Sequence, residues 1–106
     1  MTEERVFHNV TVHILANIYF DGAVQSRTIV LSDGTRKTLG VYLPGEYTFD
    51  SDVAEIVEIT KGEVEVLLPG DERWKKFTVG EVYKVPSNCT FRVRCSSITE
   101  YICDYL

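Results

Sequence analysis

Imidazole is scarce in this chain, and its scarcity excludes chemistry. The 106 residues hold two histidines, His8 and His13. Their spacing suits neither alternate positions of a strand nor the i, i+4 pair of a helical zinc motif, so they are read as ordinary surface or core histidines. Cysteine is almost as sparse: Cys89, Cys95 and Cys103 form no C-x-x-C pair and leave one thiol over in any disulfide scheme. They are expected as small packing residues of a protein kept in a reducing cytoplasm. No apolar run approaches the roughly 20 residues that span a bilayer. The opening Met1-Thr2-Glu3-Glu4-Arg5 is acidic, where a secretory signal starts basic. Positive charge is also in deficit, with a formal net charge of −5. That argues against binding nucleic-acid polymers, which needs a basic face, and leaves room for a small anion held by one local Arg or Lys.

What is present is strand chemistry. Hydrophobic residues make up 44% and charged residues 25%, the balance of a soluble globular chain of one domain. Val10, Val12 and Ile14 alternate with Thr11 and His13 and suggest an opening strand, although Val6, Val10, Ile14 and Ile18 also carry helical spacing. The β-branched content favours the strand. Residues 1–16 are therefore an N-terminal extension, expected to add a strand to a domain of 17–106. Asp21-Gly22 marks a turn before a strand over 23–31, and Ser32-Asp33-Gly34-Thr35 reads as a two-residue hairpin loop. Further strands are expected over 36–43, 46–49, 53–60 and 63–68, then 77–85, about 91–95 and 98–105. Val64, Val66 and Leu68 give one of them an apolar face. Short strands at near-regular spacing without a long helix define an all-β barrel or sandwich.

Two spacings narrow the architecture. From Gly40, five residues lead to Glu46, then come Thr48, Glu55 after six more, and Gly62 after another six. Later, Gly80 is followed after five residues by Pro86. This pair of frames resembles the two motifs of the cupins, small jelly-roll-like β-barrels. The first-motif histidines are replaced by Glu46 and Thr48, the gap to Glu55 is longer, and the second-motif histidine position falls on Phe91. No metal site is therefore expected, since Glu46 and Glu55 alone fall short of the roughly six oxygens a hard cation takes.

A narrower resemblance covers 17–106. The blocks NIYFDGAVQS, GTRKTLGVYLPGEYTF and EVLLPGDERWKKFTVGEVYKVP, with the ending EYICDYL, look like the pyrimidine/purine nucleoside phosphorylase family of small bacterial cupins. The specific elements are G-E-Y-T-F at 45–49, Glu55, V-L-L-P at 66–69 followed by Trp74, and Y-x-C-x-Y-L at the end. The resemblance implies a pentosyltransferase: phosphate displaces purine or pyrimidine bases from nucleosides and gives ribose 1-phosphate. It implies no cofactor beyond phosphate as co-substrate, a role in nucleotide salvage, and a homodimer.

Such chemistry needs a cation or N–H groups for phosphate, a carboxylate for the ribose hydroxyls and an aromatic face for the base. In the cupin frame Glu46, Thr48 and Glu55 face the barrel interior. If the strand before Pro44 keeps its phase, Arg36, Gly40 and Tyr42 join them. Phe91, Val93 and Cys95 face inward on a later strand, which leaves Arg92 and Arg94 outside, and Tyr101, Cys103 and Tyr105 share the inner face of the last strand. Glu55, Glu46 and Arg36 are thus the candidate catalytic residues. Tyr42, Thr48, Phe91 and Tyr101 are the candidate substrate contacts. Each has a plainer reading, as a solvated charge or a core aromatic. A metal-free barrel that binds a nucleoside-like or sugar-like molecule without turnover is the alternative function, and a cation beside the inner carboxylates is what divides the two.

Overall fold

The computed structural model describes residues 4–106. The first three residues of the acidic opening run, and of the expected 1–16 extension, lie outside the described residues. Eleven strands follow in order: β1 (Thr11–Val12), β2 (Asn17–Tyr19), β3 (Val24–Val30), β4 (Arg36–Tyr42), β5 (Gly45–Ser51), β6 (Glu55–Lys61), β7 (Glu63–Leu67), β8 (Lys75–Thr78), β9 (Val82–Val85), β10 (Cys89–Cys95) and β11 (Thr99–Tyr105). Seven of them form one antiparallel sheet, in the order β1-β3-β4-β11-β6-β9 with β2 also on β3. The other four form a second sheet, β5-β10-β7-β8. The two sheets face each other over a shared core, the double-sheet jelly roll that alternating short strands specify. No described helix is long and apolar enough to cross a membrane.

Alternation explains which residues meet in the core. On β7, Val64 and Val66 are buried at 1% and 0% exposure while Glu63 stays in water. On β6 the inner face carries Val57 and Ile59, and on β10 it carries Phe91 and Val93, all buried. Tyr42, Tyr47, Tyr83, Tyr101 and Cys103 complete the cluster. Aromatic and β-branched side chains supply most of the buried apolar area, each worth about 1.5–3 kcal/mol when fully removed from water.

Three details differ from the expectation drawn from the sequence. The Asp33-Gly34 hairpin has a three-residue loop: the Gly34 N–H donates to the Leu31 carbonyl at 2.9 Å and the Leu31 N–H to the Thr35 carbonyl at 2.8 Å. Gly34 takes φ +89°, which makes this a type I turn closed by a left-handed glycine. The run 77–85 is two strands, β8 and β9, because Gly80 at φ +88° turns the chain between sheets. The opening strand exists but is short. Thr11 and Val12 pair with Val30 and Ile29, and the next contact is a single bond from the His13 N–H to the Thr28 carbonyl at 2.9 Å.

Gly62 is where the chain leaves one sheet for the other. β6 belongs to the large sheet and β7 to the small one, with this residue alone between them. It adopts φ +78°, and a Cβ there would lie 2.7 Å from the Ile98 carbonyl oxygen. Only glycine fits both the conformation and the space.

Candidate functional site

A cavity of about 390 Å³ opens between the sheets, a size suited to a small organic ligand. Its floor is built by Tyr42, Val57, Phe91, Tyr101 and Cys103. Tyr19 and Ser26 line it from the large sheet, Asp50 from the small sheet, and Asp52 and Val53 from the corner between β5 and β6. Glu55 and Tyr105 line it too, and β6 and β11 bring those two residues directly opposite each other.

Glu55 begins β6 on the same face as Val57 and Ile59, so the strand's alternation turns its carboxylate inward. It is half-buried, and the Cys103 thiol donates to its Oε1 at 3.1 Å. Burial raises the carboxyl above its ordinary range, and the thiol's hydrogen bond opposes that shift only in part. Burial likewise pushes the Cys103 thiol well up, helped by the neighbouring Glu55 charge, which leaves it an inert packing thiol and hydrogen-bond donor. The phenols of Tyr42, Tyr101 and Tyr105 are raised by burial first, and next by the neighbouring Tyr83, Tyr105 and Cys103 respectively. Around neutral pH they are therefore neutral groups able to donate hydrogen bonds.

Two polar residues of the lining, Ser26 and Tyr105, are held by further polar side chains of the large sheet. Asn17 Nδ2 donates to Ser26 Oγ at 3.1 Å and to Thr28 Oγ1 at 3.2 Å. Thr38 Oγ1 and Tyr105 Oη lie 3.2 Å apart. Hydroxyls in such a row offer both donors and acceptors to a polyhydroxy ligand.

The aromatic floor has little free surface. Tyr101 lies flat on Gly40, where a Cβ would sit 2.1 Å from its Cζ, and stacks on Tyr42 at 4.5 Å and 19°. Tyr42 is in turn stacked towards Tyr47, and Phe91 stacks on Phe49 at 5.5 Å. The motif glycine at position 40 is thus explained by a ring that occupies the place of its side chain.

Of the candidates read from the sequence, Tyr42, Glu55, Phe91 and Tyr101 line this cavity. Glu46 and Thr48 do not. Both are exposed, while their neighbours Tyr47 and Phe49 point inward. Burying two aromatic rings outweighs the alignment of a motif whose gap is longer than usual, and the alternation of Tyr47 and Phe49 with Glu46, Thr48 and Asp50 carries that signal. Glu46 instead forms an ion pair with Arg92 on the outside of the small sheet. There Arg94 lies 4.0 Å and Arg92 5.3 Å from the centre of the Trp74 ring. Arg92 and Arg94 face outward as expected, and Trp74 packs against that outer face rather than over a barrel end.

Arg36 shares the inner phase of Thr38, Gly40 and Tyr42 but is exposed and is not part of the cavity wall. Its register explains where it stands. Lys37 pairs with Asp104 and Tyr105 with Glu55, so one further step sets Arg36 across from Tyr105, two strand spacings from Glu55, or roughly 10 Å between backbones. It is a rim residue. The lining residues absent from the sequence-based set are Tyr19, Ser26, Phe49, Asp50, Asp52, Val53, Val57, Cys103 and Tyr105. Cys103 and Tyr105 were legible as inner-face partners of Tyr101. Tyr19 was hidden because a three-residue strand shows no alternation. Among the described residues, no three His, Cys, Asp or Glu side chains gather as a metal site would require.

A double-sheet jelly roll with an internal cavity of carboxylate, hydroxyls and aromatics has the cupin type of fold. The fold agrees with that of a cupin-2 domain protein from Shewanella frigidimarina, at a TM-score of 0.63 and 15% identity over 74% of this chain and 76% of that one. The profile of the pyrimidine/purine nucleoside phosphorylases matches residues 14–105, and the chain belongs to that family. Proteins of that name from Syntrophotalea carbinolica and Hydrogenovibrio crunogenus are 49% and 47% identical, each over 94% of this chain and 96% of the relative. A crystal structure of a protein of unknown function from an Acinetobacter species superposes with a TM-score of 0.92 at 36% identity, covering 95% of this chain and 98% of that one.

Proposed function

We propose that this chain is a nucleoside phosphorylase of the pentosyltransferase class with broad tolerance for purine and pyrimidine bases. Inorganic phosphate is its co-substrate and no cofactor takes part. In the reaction, a phosphate oxygen bonds to C1′ of the ribose as the C1′–N bond to the base breaks. The electron pair leaves with the base, and the proton that phosphate loses on becoming an ester is the one the base gains. The sugar passes through a state of positive character. The observation that carries the reading is Glu55: a half-buried carboxylate facing the cavity, beside hydroxyl donors and acceptors that match ribose.

A carboxylate there accepts ribose hydroxyls in the ground state and opposes the ring's developing positive charge in the transition state, which is where its effect on rate lies. Arg36 at the rim is the cation we assign to phosphate, since a guanidinium gives phosphate charge-assisted bidentate bonds. A homodimer in the cytoplasm, acting in nucleotide salvage, completes the reading.

One observation favours a second reading. The cavity lining includes the acidic residues Asp52 and Glu55 and, among the described residues, no Lys or Arg, a setting kinder to a neutral sugar or nucleoside than to an anion. A binding protein without turnover would have such a site. Incubation of the purified chain with uridine and with adenosine, with and without phosphate, separates the two. Free base formed only with phosphate, and at an undiminished rate after exhaustive chelation, supports the enzyme. No base in any tube overturns it.

A further inference from the structure

The floor of the cavity cannot stack a base. Both faces of Tyr101 are taken, one by Gly40 and one by Tyr42. Tyr42 sits between Tyr101 and Tyr47, and Phe91 is stacked on Phe49. Two aromatic residues of the lining keep exposed surface: Tyr19 at 47% and Tyr105 at 41%. They stand at opposite ends. Tyr105 is level with Glu55 across β11 and β6, and its hydroxyl meets Thr38. Tyr19 pairs with Val24, Val24 with Tyr42, and Tyr42 with Thr99. Thr99 lies six residues along β11 from Tyr105, roughly 20 Å of strand, so the two rings mark the two ends of the lining.

Tyr19 shares the inner phase of Asn17, and no aromatic ring packs on it among the described residues. The chain is held sharply just beyond it. Phe20 and Asp21 take φ +52° and +54° and Gly22 +98°, a left-handed turn that costs about 1–3 kcal/mol at each non-glycine residue. The Ala23 N–H donates to the Phe20 carbonyl at 3.1 Å and Gln25 Nε2 to the Gly22 carbonyl at 3.1 Å. The Phe20 ring is anchored on Tyr47 at 5.0 Å and on Phe49 at 5.4 Å. With Phe20 pinned outside the lining, Tyr19 is the ring aimed at the opening.

Resting on the phosphorylase reading, we infer that Tyr19 is the stacking platform for the nucleobase, with the ribose extending towards Glu55 and Tyr105. A carboxylate suits the sugar hydroxyls, so the base belongs at the other end of the cavity. A single aromatic face, without side chains aimed at base edges, also accounts for tolerance of both base classes, because every base has a π-face.

The test separates binding from turnover. Equilibrium dialysis with uridine and with adenosine, without phosphate, is run on the wild-type chain and on Tyr19→Ala, Tyr19→Leu, Tyr19→Phe and Tyr105→Ala, each first checked for fold by circular dichroism. Tyr19→Ala and Tyr19→Leu are expected to weaken both nucleosides roughly 5- to 150-fold, the worth of one stacked base. Tyr19→Phe is expected to bind within about twofold of wild type, since the ring face is kept. In phosphorolysis the nucleoside KM is expected to follow the binding, with the phosphate KM unmoved. Tyr19→Leu keeps the side chain's bulk, so an unfolded Tyr19→Ala does not obscure the result. Wild-type binding that Tyr19→Leu leaves intact, or that only Tyr105→Ala weakens, overturns the inference. Wild type that binds nucleosides but never releases base overturns the phosphorylase reading and leaves the platform standing.

Discussion

Replacing Gly40 by alanine sets a methyl group against the ring of Tyr101. The added Cβ would lie 2.1 Å from Tyr101 Cζ, 2.3 Å from its Oη and 2.4 Å from Cε1. Carbon atoms in contact sit about 3.5–4.0 Å apart, so the ring must shift by more than an ångström. Behind it is Tyr42, stacked at 4.5 Å, which leaves the cavity as the open direction. Overpacking of this kind costs about 1–3 kcal/mol, against a gain of about 0.5–1 kcal/mol from taking a glycine out of a strand. Gly40→Ala is therefore expected to destabilise the protein by about 1–2 kcal/mol. In a Tyr101→Val background the space is free, and the same change is expected to stabilise by about 0.5–1 kcal/mol. The sign reverses, and the coupling of about 1.5–3 kcal/mol far exceeds the roughly 0.5 kcal/mol expected of independent sites. Urea unfolding followed by the fluorescence of Trp74 measures all four corners of the cycle. Additive effects would refute the account of Gly40 as the seat of the ring. The ring's displacement into the cavity is also expected to raise the nucleoside KM of Gly40→Ala.

Glu55→Gln keeps the shape and most acceptor capacity but removes the charge. It is expected to lower kcat for purine and pyrimidine nucleosides alike, and a fully active variant would refute the assigned role. Because burial raises the folded-state pKa of Glu55, its contribution to stability is fully present below the unfolded pKa and is lost as pH rises through the folded one. The variant is therefore expected to gain stability relative to wild type across the acid range, and a difference in urea midpoint that is flat with pH refutes this. Arg36→Ala is expected to raise the phosphate KM strongly, whereas Arg92→Ala, which breaks an exposed pair on the outer face, is expected to change stability by less than about 1 kcal/mol and leave kinetics unmoved; the reverse pattern moves phosphate to the outer sheet. Among the described residues Tyr83 Oη is buried with no well-formed hydrogen bond, only the neighbouring Tyr42 hydroxyl beside it, so Tyr83→Phe is expected to raise stability by about 1 kcal/mol, and a lower urea midpoint shows that the two hydroxyls are bonded.

The strands were legible because their alternation is strong. Val64 and Val66, Phe91 and Val93, and Tyr101 and Cys103 each announced an inner face that the structure bears out. The site was legible where alternation and motif agreed, as at Tyr42 and Glu55, and failed where they disagreed. At β5 the motif alignment put Glu46 and Thr48 inside, whereas the aromatic rings at 47 and 49 take those places. Residues contributed by turns left no periodic trace. Asp52 and Val53 reach the cavity from the corner between β5 and β6, and Tyr19 does so from the end of a strand too short to read. Register across three strands, which sets Arg36 at the rim, is a property of pairing that no single stretch encodes.

The phase of β5 bears on any attempt to build a histidine metal site into this barrel. Writing histidines back at 46 and 48, where the motif alignment invites them, would place two imidazoles on the outer surface beside Arg92 and produce no centre. The inward positions are 47 and 49, and those rings hold up Phe20, Tyr42 and Phe91. Histidines there would cost the aromatic stack that shapes the cavity. A metal centre built on the first-motif positions of β5 would thus demand that the interior be repacked first.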